Sequence, residues 1–354
     1  MNIPLQLETL PELLGQMGFG EVHLKYDPQT ELLAIITIHN DKFGPAIGGC
    51  RCIEYSDFSV ALQDALKLAQ GMSYKTAISN LTWGGGKAVL LKPKQIKDRQ
   101  AYYRAFGRFV NELGGRYITS IDSGTELSDL EYIAQETDYV SGLAHHYGAD
   151  TDPSLATAIG VKHGIETAVK FKFATENLVG LRLAIQGVGH VGYHLCELLQ
   201  PLGVELIVSD VDPEAIKRCQ ARFKVKVVTA DEIHKVDCEV FSPCALGGVL
   251  TEVTIPELKA AIVAGSANNQ LASLQHGALL TQTDILYAPD FVISAGGVIL
   301  ATALYDGRPM SLVHEQLQNI SNTLLTIFTR AKQQNLPTHN VAAMMAEERL
   351  SRAI

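Results

Sequence analysis

The stretch Leu183-Ala184-Ile185-Gln186-Gly187-Val188-Gly189-His190-Val191-Gly192 decides the fold of the second half of this 354-residue chain. Its apolar start predicts a buried strand ending at Gln186, and the apolar spacing after it predicts a helix, Val188–Leu199. Glycines at this spacing permit a tight turn where backbone can approach a pyrophosphate, with its charge at the helix N-terminus. The residues predicted to form this loop are Gly187, Val188, Gly189, His190, Val191 and Gly192.

A second predicted strand, Glu205–Ser209, ends at Asp210, about 20 residues after the glycine loop. A carboxylate at that point accepts hydrogen bonds from a ribose 2′-hydroxyl and repels a 2′-phosphate. This favours NAD over NADP as the cofactor. A structural glycine turn beside a surface aspartate is the alternative interpretation.

Strand and helix patterns continue to alternate beyond this unit, which is typical of a parallel sheet built from βαβ units. The further predicted strands are Val225–Val228, Val240–Phe241, Ala261–Ala264 and Phe291–Ile293. A loop-rich stretch at residues 148–154 suits a domain boundary. We therefore predict a dinucleotide-binding domain over residues 146–334.

Residues 1–145 have a different pattern, which predicts a mixed α/β domain. The predicted helices are Val60–Met72 and Tyr102–Leu113, and the predicted strands are Glu31–His39, Thr76–Leu81, Ala88–Leu91 and Tyr117–Ser120. Helical patterns also cover residues 155–170, 312–331 and 341–353, and the C-terminal helices at about 335–354 are candidates to pack back on the first domain. The predicted fold class is α/β with two domains.

Composition and charge exclude several classes of protein. The hydrophobic fraction is 47% and the net charge is −9, with no Lys/Arg block, which argues for globular domains and against nucleic acid or membrane as a partner. The N-terminal residues lack the pattern of a signal peptide, and no apolar run approaches the ~20 residues of a membrane span.

The six cysteines have no disulfide-framework spacing, so a reducing, cytoplasmic setting is expected. Neither Cys50-x-Cys52 nor His145-His146 has the further ligands of a metal site, and no metal is predicted.

Two lysines stand twelve positions apart, Lys75 and the Lys87 that follows three glycines. A P-loop does not fit, because Ala88 has no hydroxyl for magnesium. Glycines before a lysine favour a pocket wall with close backbone approach. Burial and a second ammonium would lower the pKa of Lys87 and make it a base near neutral pH, although two surface lysines are an equal alternative. Asp122 follows a predicted strand, where it is either a catalytic carboxylate or a helix cap.

Taken together, these segments resemble the leucine, valine and phenylalanine dehydrogenase branch of the amino-acid dehydrogenases. The matching stretches occur in the family's order and are Gly44–Gly49, Gly71–Ala77, Gly84–Val89, Asp122–Thr125, Gly187–Gly192, Ser242–Gly248, Ala267–Leu271 and Ala295–Val298. The resemblance implies an N-terminal substrate-binding and catalytic domain and a Rossmann-type NAD domain with a cleft between them. It also implies a homo-oligomer and the conversion of an L-amino acid to a 2-oxo acid and ammonium.

The resemblance implies a role for each matching residue. Lys87 would activate the water that attacks the imine, Asp122 would carry protons to and from the substrate nitrogen, and Lys75 would pair with the substrate carboxylate. The other substrate-binding residues would be Gly48, through its backbone, and Ile47, Met72, Ser120, Val298 and Ala301. The remaining cofactor contacts would be Thr157, Cys244, Ala245, Ala267 and Asn269.

The sequence departs from the family at three positions: Ser294 replaces an asparagine, Leu155 replaces a proline, and Trp83 replaces an aliphatic residue. The leading hypothesis is oxidative deamination of leucine, valine or isoleucine. A roomier pocket around Ser120 and Ala301 would instead admit phenylalanine or tryptophan. From another class, a catalytically impaired NAD-binding regulatory or scaffold protein is the alternative.

Overall fold

Contacts within the chain divide it into two units. A computed structural model describes residues 10–19, 21–143 and 151–352. The first unit is Met1–Asp150 with Leu304–Gly307 and Ala346–Ile354, and the second is Thr151–Ala303 with Arg308–Met345. The His145-His146 pair and the predicted boundary at 145/146 lie outside the described residues.

The helices and strands alternate along much of the chain. The helices are α1 (Leu10–Met17), α2 (Phe58–Ile78), α3 (Arg99–Glu112), α4 (Leu127–Ala134), α5 (Pro153–Phe173), α6 (His190–Leu199), α7 (Pro213–Arg222), α8 (Gln275–Gln282), α9 (Asp290–Ile293), α10 (Gly296–Tyr305), α11 (Met310–Gln334) and α12 (Thr338–Ser351). The strands are β1 (Glu21–Asp27), β2 (Leu32–Asn40), β3 (Ala46–Ile53), β4 (Gly84–Leu91), β5 (Tyr117–Ile121), β6 (Arg182–Gln186), β7 (Glu205–Ser209), β8 (Val225–Val227), β9 (Val240–Pro243), β10 (Ile262–Val263) and β11 (Leu286–Tyr287). Short 3-10 helices cover Gln200–Leu202, Ile233–Lys235 and Ile255–Glu257.

The first unit is built on a mixed sheet with the order β1-β2-β4-β3-β5. β2 pairs antiparallel with β1 and β4, whereas β3 runs parallel to β4 and β5. One face of the sheet packs against apolar residues of α2, and the other packs against α3 and α4. The carboxyl ends of β3 and β5 therefore lie at one edge of the sheet, and the loop after β5 begins there.

The second unit has a six-stranded parallel sheet with the order β11-β10-β9-β6-β7-β8. Counted from β6, this is the order 3-2-1-4-5-6 of a doubly wound dinucleotide-binding sheet. The order changes direction beside β6, the strand that carries the glycine loop at its carboxyl end. The predicted α/β fold with a Rossmann-type unit is confirmed.

Two predicted strands were wrong. Thr76–Leu81 does not form a strand, because α2 continues to Ile78 and the Thr76 hydroxyl is satisfied inside the helix by the Met72 carbonyl at 3.1 Å. Phe291–Ile293 belongs to the short helix α9, in which the Phe291 nitrogen donates to the carboxylate of Asp290, the first residue of the helix, at 2.7 Å. The edge strand beside β10 is β11 instead. Both errors come from short apolar runs, in which periodicity does not separate a strand from a helix.

Candidate functional site

Lys87 lies in β4, within a strand whose residues are buried from Gly84 to Leu90. The glycines before it allow close approach by the protein's own segments. A Cβ on Gly85 would overlap the Ser73 backbone of α2, and one on Gly86 would lie 3.0 Å from the Tyr117 ring of β5. The predicted close approach is therefore present, but at these two glycines it is made by segments of the protein itself, α2 at Gly85 and both β2 and β5 at Gly86. This packing leaves the lysine side chain enclosed.

The Lys87 ammonium donates to Oδ2 of Asp122, which directly follows β5. Parallel pairing of β3 with β5 places Gly49 beside this carboxylate, and a Cβ on Gly49 would lie 2.8 Å from the Asp122 Cβ. The alternative interpretation of Asp122 as a helix cap was wrong, because α4 begins at Leu127 and Glu126 caps it. The structure thus brings together the two predicted catalytic residues.

The pKa of Lys87 is lowered to about 7. Burial is the largest cause, because a charged ammonium loses hydration in the interior, and the nearby Arg51 guanidinium is the second. Lys75 lowers the pKa further, but by less than Arg51 does. The sequence predicted both burial and a neighbouring cation. The cation that it named is Lys75, whose effect on the pKa of Lys87 is smaller than that of Arg51.

Arg51 and Asp64 are functional candidates that the sequence analysis missed. The Arg51 side chain contacts Asp64 of α2 at 2.9 Å and Asp122 at 3.6 Å. Two signals were available. Arg51 alternates with the buried Cys50 and Cys52, and Asp64 stands at helical spacing among the core alanines and leucines of α2.

The other predicted substrate residues of the first unit lie on β3, α2 and β5. Ile47 and Gly48 are buried on β3, and the Gly48 carbonyl accepts a hydrogen bond from the Tyr117 hydroxyl at 2.6 Å. Met72 and Lys75 are partly exposed on α2, and Ser120 is partly exposed near the end of β5. Met72, Lys75 and Ser120 are thus the more exposed members of this set.

Trp83 is buried immediately before β4. Its indole nitrogen donates to Asp306 at 3.1 Å, and its ring contacts Tyr305 edge-on with 5.4 Å between centroids. Both partners belong to the segment Leu304–Gly307 of the same unit. This departure from the family pattern therefore has a packing role, in which the tryptophan fixes the start of the strand that carries Lys87.

In the second unit, the predicted cofactor loop lies at the carboxyl end of β6. Gly187 has a φ of +94°, and a Cβ on Gly192 would overlap the Gly187 carbonyl, so both positions require glycine. Gly189 caps α6, and no described side chain caps that helix end, which leaves its first N–H groups directed outward. Gly189 and His190 are exposed, Val191 is partly exposed, and Val188 is buried.

Asp210 lies at the carboxyl end of the neighbouring β7. Its Oδ2 accepts a hydrogen bond from the Val188 nitrogen at 2.8 Å, which ties the end of β7 to the glycine loop. The other predicted cofactor residues follow β9 and β10: the Cys244 nitrogen bonds to the Gln186 carbonyl at 2.7 Å, and Ala245 is exposed beside Gly187. Ala267 is buried, and Asn269 is exposed with a φ of +52°.

Residues on α5 and α10 complete the predicted set. The Thr157 hydroxyl bonds to the Pro153 carbonyl within α5 at 2.8 Å, and Leu155 is partly exposed on the same helix. Val298 and Ala301 are partly exposed on α10, three residues apart and hence on one face. Ser294, which replaces the family's asparagine, donates its hydroxyl to the Asp290 carbonyl at 2.7 Å.

The residues at this sheet edge fit a dinucleotide. Gln186 Oε1 and Ser209 Oγ are buried at the ends of β6 and β7 without a hydrogen-bond partner among the described residues. Unpartnered polar atoms beside an open helix N-terminus and a carboxylate make a setting for a pyrophosphate and a ribose. In the described part of the chain, no three His, Cys, Asp or Glu side chains are grouped to hold a metal ion. None of the described helices combines the length and apolarity needed to cross a bilayer.

Comparisons with known proteins point to a single family. Residues 20–139 match the family model "Glu/Leu/Phe/Val dehydrogenase, dimerisation domain", and residues 211–354 match "Glutamate/Leucine/Phenylalanine/Valine dehydrogenase". The chain is 45% identical to a leucine dehydrogenase of Geobacillus stearothermophilus over 94% of its own length and 90% of the relative's. It is 40% identical to a phenylalanine dehydrogenase of Thermoactinomyces intermedius over 96% and 94% of the two chains. The crystal structure of L-tryptophan dehydrogenase from Nostoc punctiforme superposes with a TM-score of 0.85 at 40% identity, over 97% of this chain and 98% of that one.

Proposed function

Because the chain belongs to the Glu/Leu/Phe/Val dehydrogenase family, we propose that it oxidatively deaminates leucine, valine or isoleucine to the 2-oxo acid and ammonium. It is an enzyme of the NAD-dependent amino-acid dehydrogenase class. The observation that carries the proposal is the buried contact of Lys87 with Asp122, together with the pKa of Lys87 near 7. This pair also argues against the regulatory or scaffold alternative, because an unused ammonium at such a position would only cost stability.

Different residues take separate parts in the proposed reaction. Bound NAD supplies the hydride acceptor, and the glycine loop with Asp210 would hold it. Lys75 pairs with the substrate carboxylate as a point charge. Asp122 takes a proton from the substrate ammonium, so that the nitrogen lone pair assists loss of hydride from the α-carbon.

Hydrolysis of the resulting iminium requires a base. Lys87 in its neutral form accepts a proton at Nζ from the water that attacks the iminium carbon, and Asp122 returns a proton to the leaving nitrogen. As the carbon–nitrogen bond breaks, the hydroxyl proton passes to the departing ammonia, which gives the 2-oxo acid and ammonium, and Lys87 releases its proton to solvent. A lysine with its ordinary pKa would be almost fully protonated at neutral pH, whereas a pKa near 7 leaves about half of it neutral there. Burial of Lys87 is therefore what makes the base available.

A substrate with an aliphatic side chain is proposed for two reasons. Two of the predicted pocket residues, the buried Ile47 and the partly exposed Val298 of α10, are themselves aliphatic. The leucine dehydrogenase relative also has a higher identity to this chain than the phenylalanine and tryptophan dehydrogenases have. Aromatic substrates are the second candidate. Ser120 and Ala301 are small, and relatives at 40–42% identity are named as phenylalanine and tryptophan dehydrogenases. These four residues remain predicted contacts of the substrate side chain.

The test is a panel of L-leucine, L-valine, L-isoleucine, L-phenylalanine and L-tryptophan with NAD, read by the absorbance of NADH. We expect the highest kcat/KM with one of the three aliphatic amino acids and weaker activity with NADP. A highest value for phenylalanine or tryptophan would select the aromatic alternative. NAD binding without NADH formation from any amino acid would contradict the proposed reaction.

We further propose that the enzyme is a cytoplasmic homo-oligomer that acts without nucleic acid or membrane partners. The family model over residues 20–139 is described as a dimerisation domain, which supports self-association. The net charge of −9 gives no support to binding of nucleic acid.

A further inference from the structure

A row of four polar side chains leads from the surface of the first unit to Lys87. The Tyr55 hydroxyl donates to Asp64 Oδ2 at 2.7 Å, and the Arg51 Nη1 donates to the same oxygen at 2.9 Å. The Arg51 Nη2 lies 3.6 Å from Oδ1 of Asp122, and the other oxygen of Asp122 accepts from Lys87. Arg51 thus contacts two carboxylates through different nitrogens.

Burial increases along this row toward the lysine. The side chains of Asp64 and Arg51 are 28% and 21% exposed, that of Asp122 is 17% exposed, and that of Lys87 is 6% exposed. An ion pair with this degree of burial is less screened by solvent than a surface pair, so its geometry has a larger effect on its neighbours.

We propose that Arg51 is a positioning residue, anchored by Asp64 and Tyr55, which orients the Asp122 carboxylate toward Lys87. This inference rests on the proposed function, since it assigns Arg51 to the same deamination chemistry. The planar guanidinium suits the task, because its rigid fork holds two acceptors at fixed directions, which a lysine ammonium does not do. The Arg51 Nε has no hydrogen-bond partner among the described residues, whereas its two terminal nitrogens each contact one of the two carboxylates.

Arg51 and Asp64 also act on Lys87 with opposite sign. Arg51 lowers the pKa of Lys87, because a nearby cation disfavours the ammonium form, and Asp64 raises it. The remaining charged or titratable groups that face Lys87 are Cys50 on β3, Lys75 on α2 and Asp122 after β5. Removal of Arg51 and removal of Asp64 should therefore shift the pKa of Lys87 in opposite directions.

The experiment measures the pKa of Lys87 in the full-length protein and in Arg51→Met and Asp64→Asn. The rate of trace acetylation by acetic anhydride at Lys87 is read by mass spectrometry as a function of pH, and this readout needs no turnover. We expect the midpoint to rise by about one pH unit in Arg51→Met and to fall by a smaller amount in Asp64→Asn. Arg104→Met removes a comparable ion pair with Glu136 in the same unit and should leave the midpoint unchanged. Absence of both shifts, or two shifts in the same direction, would overturn the proposal.

Kinetics of Arg51→Lys separate orientation from charge. This variant keeps the positive charge but loses the fork, so we expect about a tenfold lower kcat with the KM for the amino acid nearly unchanged. An unaltered kcat would also overturn the proposal. Failure of the wild-type protein to oxidise any amino acid would instead contradict the proposed function, and the acetylation midpoints would still test the placement of Arg51 and Asp64 beside Lys87.

Discussion

At the residue scale, Lys87 is expected to be required for turnover but not for cofactor binding. Lys87→Ala removes the base that accepts a proton from water, so kcat should fall by about three orders of magnitude. The NAD dissociation constant, measured by calorimetry, should stay nearly constant, because the glycine loop and Asp210 belong to the second unit. Lys92→Ala, at an exposed lysine just beyond β4, is the matched control and should retain activity. Equal losses of turnover and NAD affinity in Lys87→Ala would mean that this lysine is structural.

The sequence predicted Lys87 and Asp122 because each stands in a distinctive local pattern, one after three glycines and the other at a strand end. It did not predict Arg51 and Asp64, which lie 13 positions apart and meet only because α2 packs over β3. Their contact is a product of tertiary packing. Local spacing predicts the face on which a side chain lies, but not the partner that it meets there.

At the element scale, the approach of β3 to the loop after β5 is expected to depend on Gly49. A Cβ there would lie 2.6 Å from the Ile121 carbonyl oxygen and 2.8 Å from the Asp122 Cβ, so Gly49→Ala must displace the carboxylate. We expect a loss of about 1–3 kcal/mol in the free energy of unfolding from overpacking. A displacement near 1 Å should lower kcat about a hundredfold.

Gly71→Ala is the control for this substitution. Gly71 lies within α2, and a Cβ there would have no neighbouring atom within 4 Å outside the helix's own backbone. The free energy of unfolding should rise by about 0.5–1 kcal/mol, because alanine favours the helix. Urea unfolding of the three proteins gives the comparison. A Gly49→Ala variant as stable and as active as the wild type would contradict the assigned packing.

The two sheets differ in how far local sequence predicts them. The second sheet follows from consecutive βαβ units, whose right-handed crossovers leave few possible strand orders. The first sheet inserts β4 between β2 and β3 and mixes parallel with antiparallel pairs, so its order depends on contacts between distant segments. The sequence accordingly predicted most strands of the Rossmann-type unit, although not its edge strand β11, and the first domain only as mixed α/β.

At the scale of the whole molecule, the two units carry different parts of the proposed reaction. The first unit contains the buried Lys87 and the Asp122 carboxylate that it contacts, and the second contains the glycine loop and Asp210. The chemistry therefore depends on a densely packed sheet that encloses an ammonium, whereas cofactor binding depends on the open carboxyl edge of a parallel sheet. This division explains why a substitution at Lys87 and one at Asp210 should have separable effects.

The proposed homo-oligomer can be tested at β1, which is an edge strand of the first sheet. Leu24 and Tyr26 lie on the same face of this strand and are 54% and 61% exposed. An apolar edge strand is a surface that proteins usually cover with another segment or protect with charged residues.

We expect the wild-type chain to elute as a multiple of the monomer mass in size-exclusion chromatography with light scattering. The double variant Leu24→Lys with Tyr26→Lys should shift the protein toward smaller species. Val253→Lys replaces a residue that is 64% exposed in the second unit and should leave the mass unchanged. A monomeric wild-type protein would contradict the oligomer, whereas an unchanged assembly in the double variant would place its interface elsewhere.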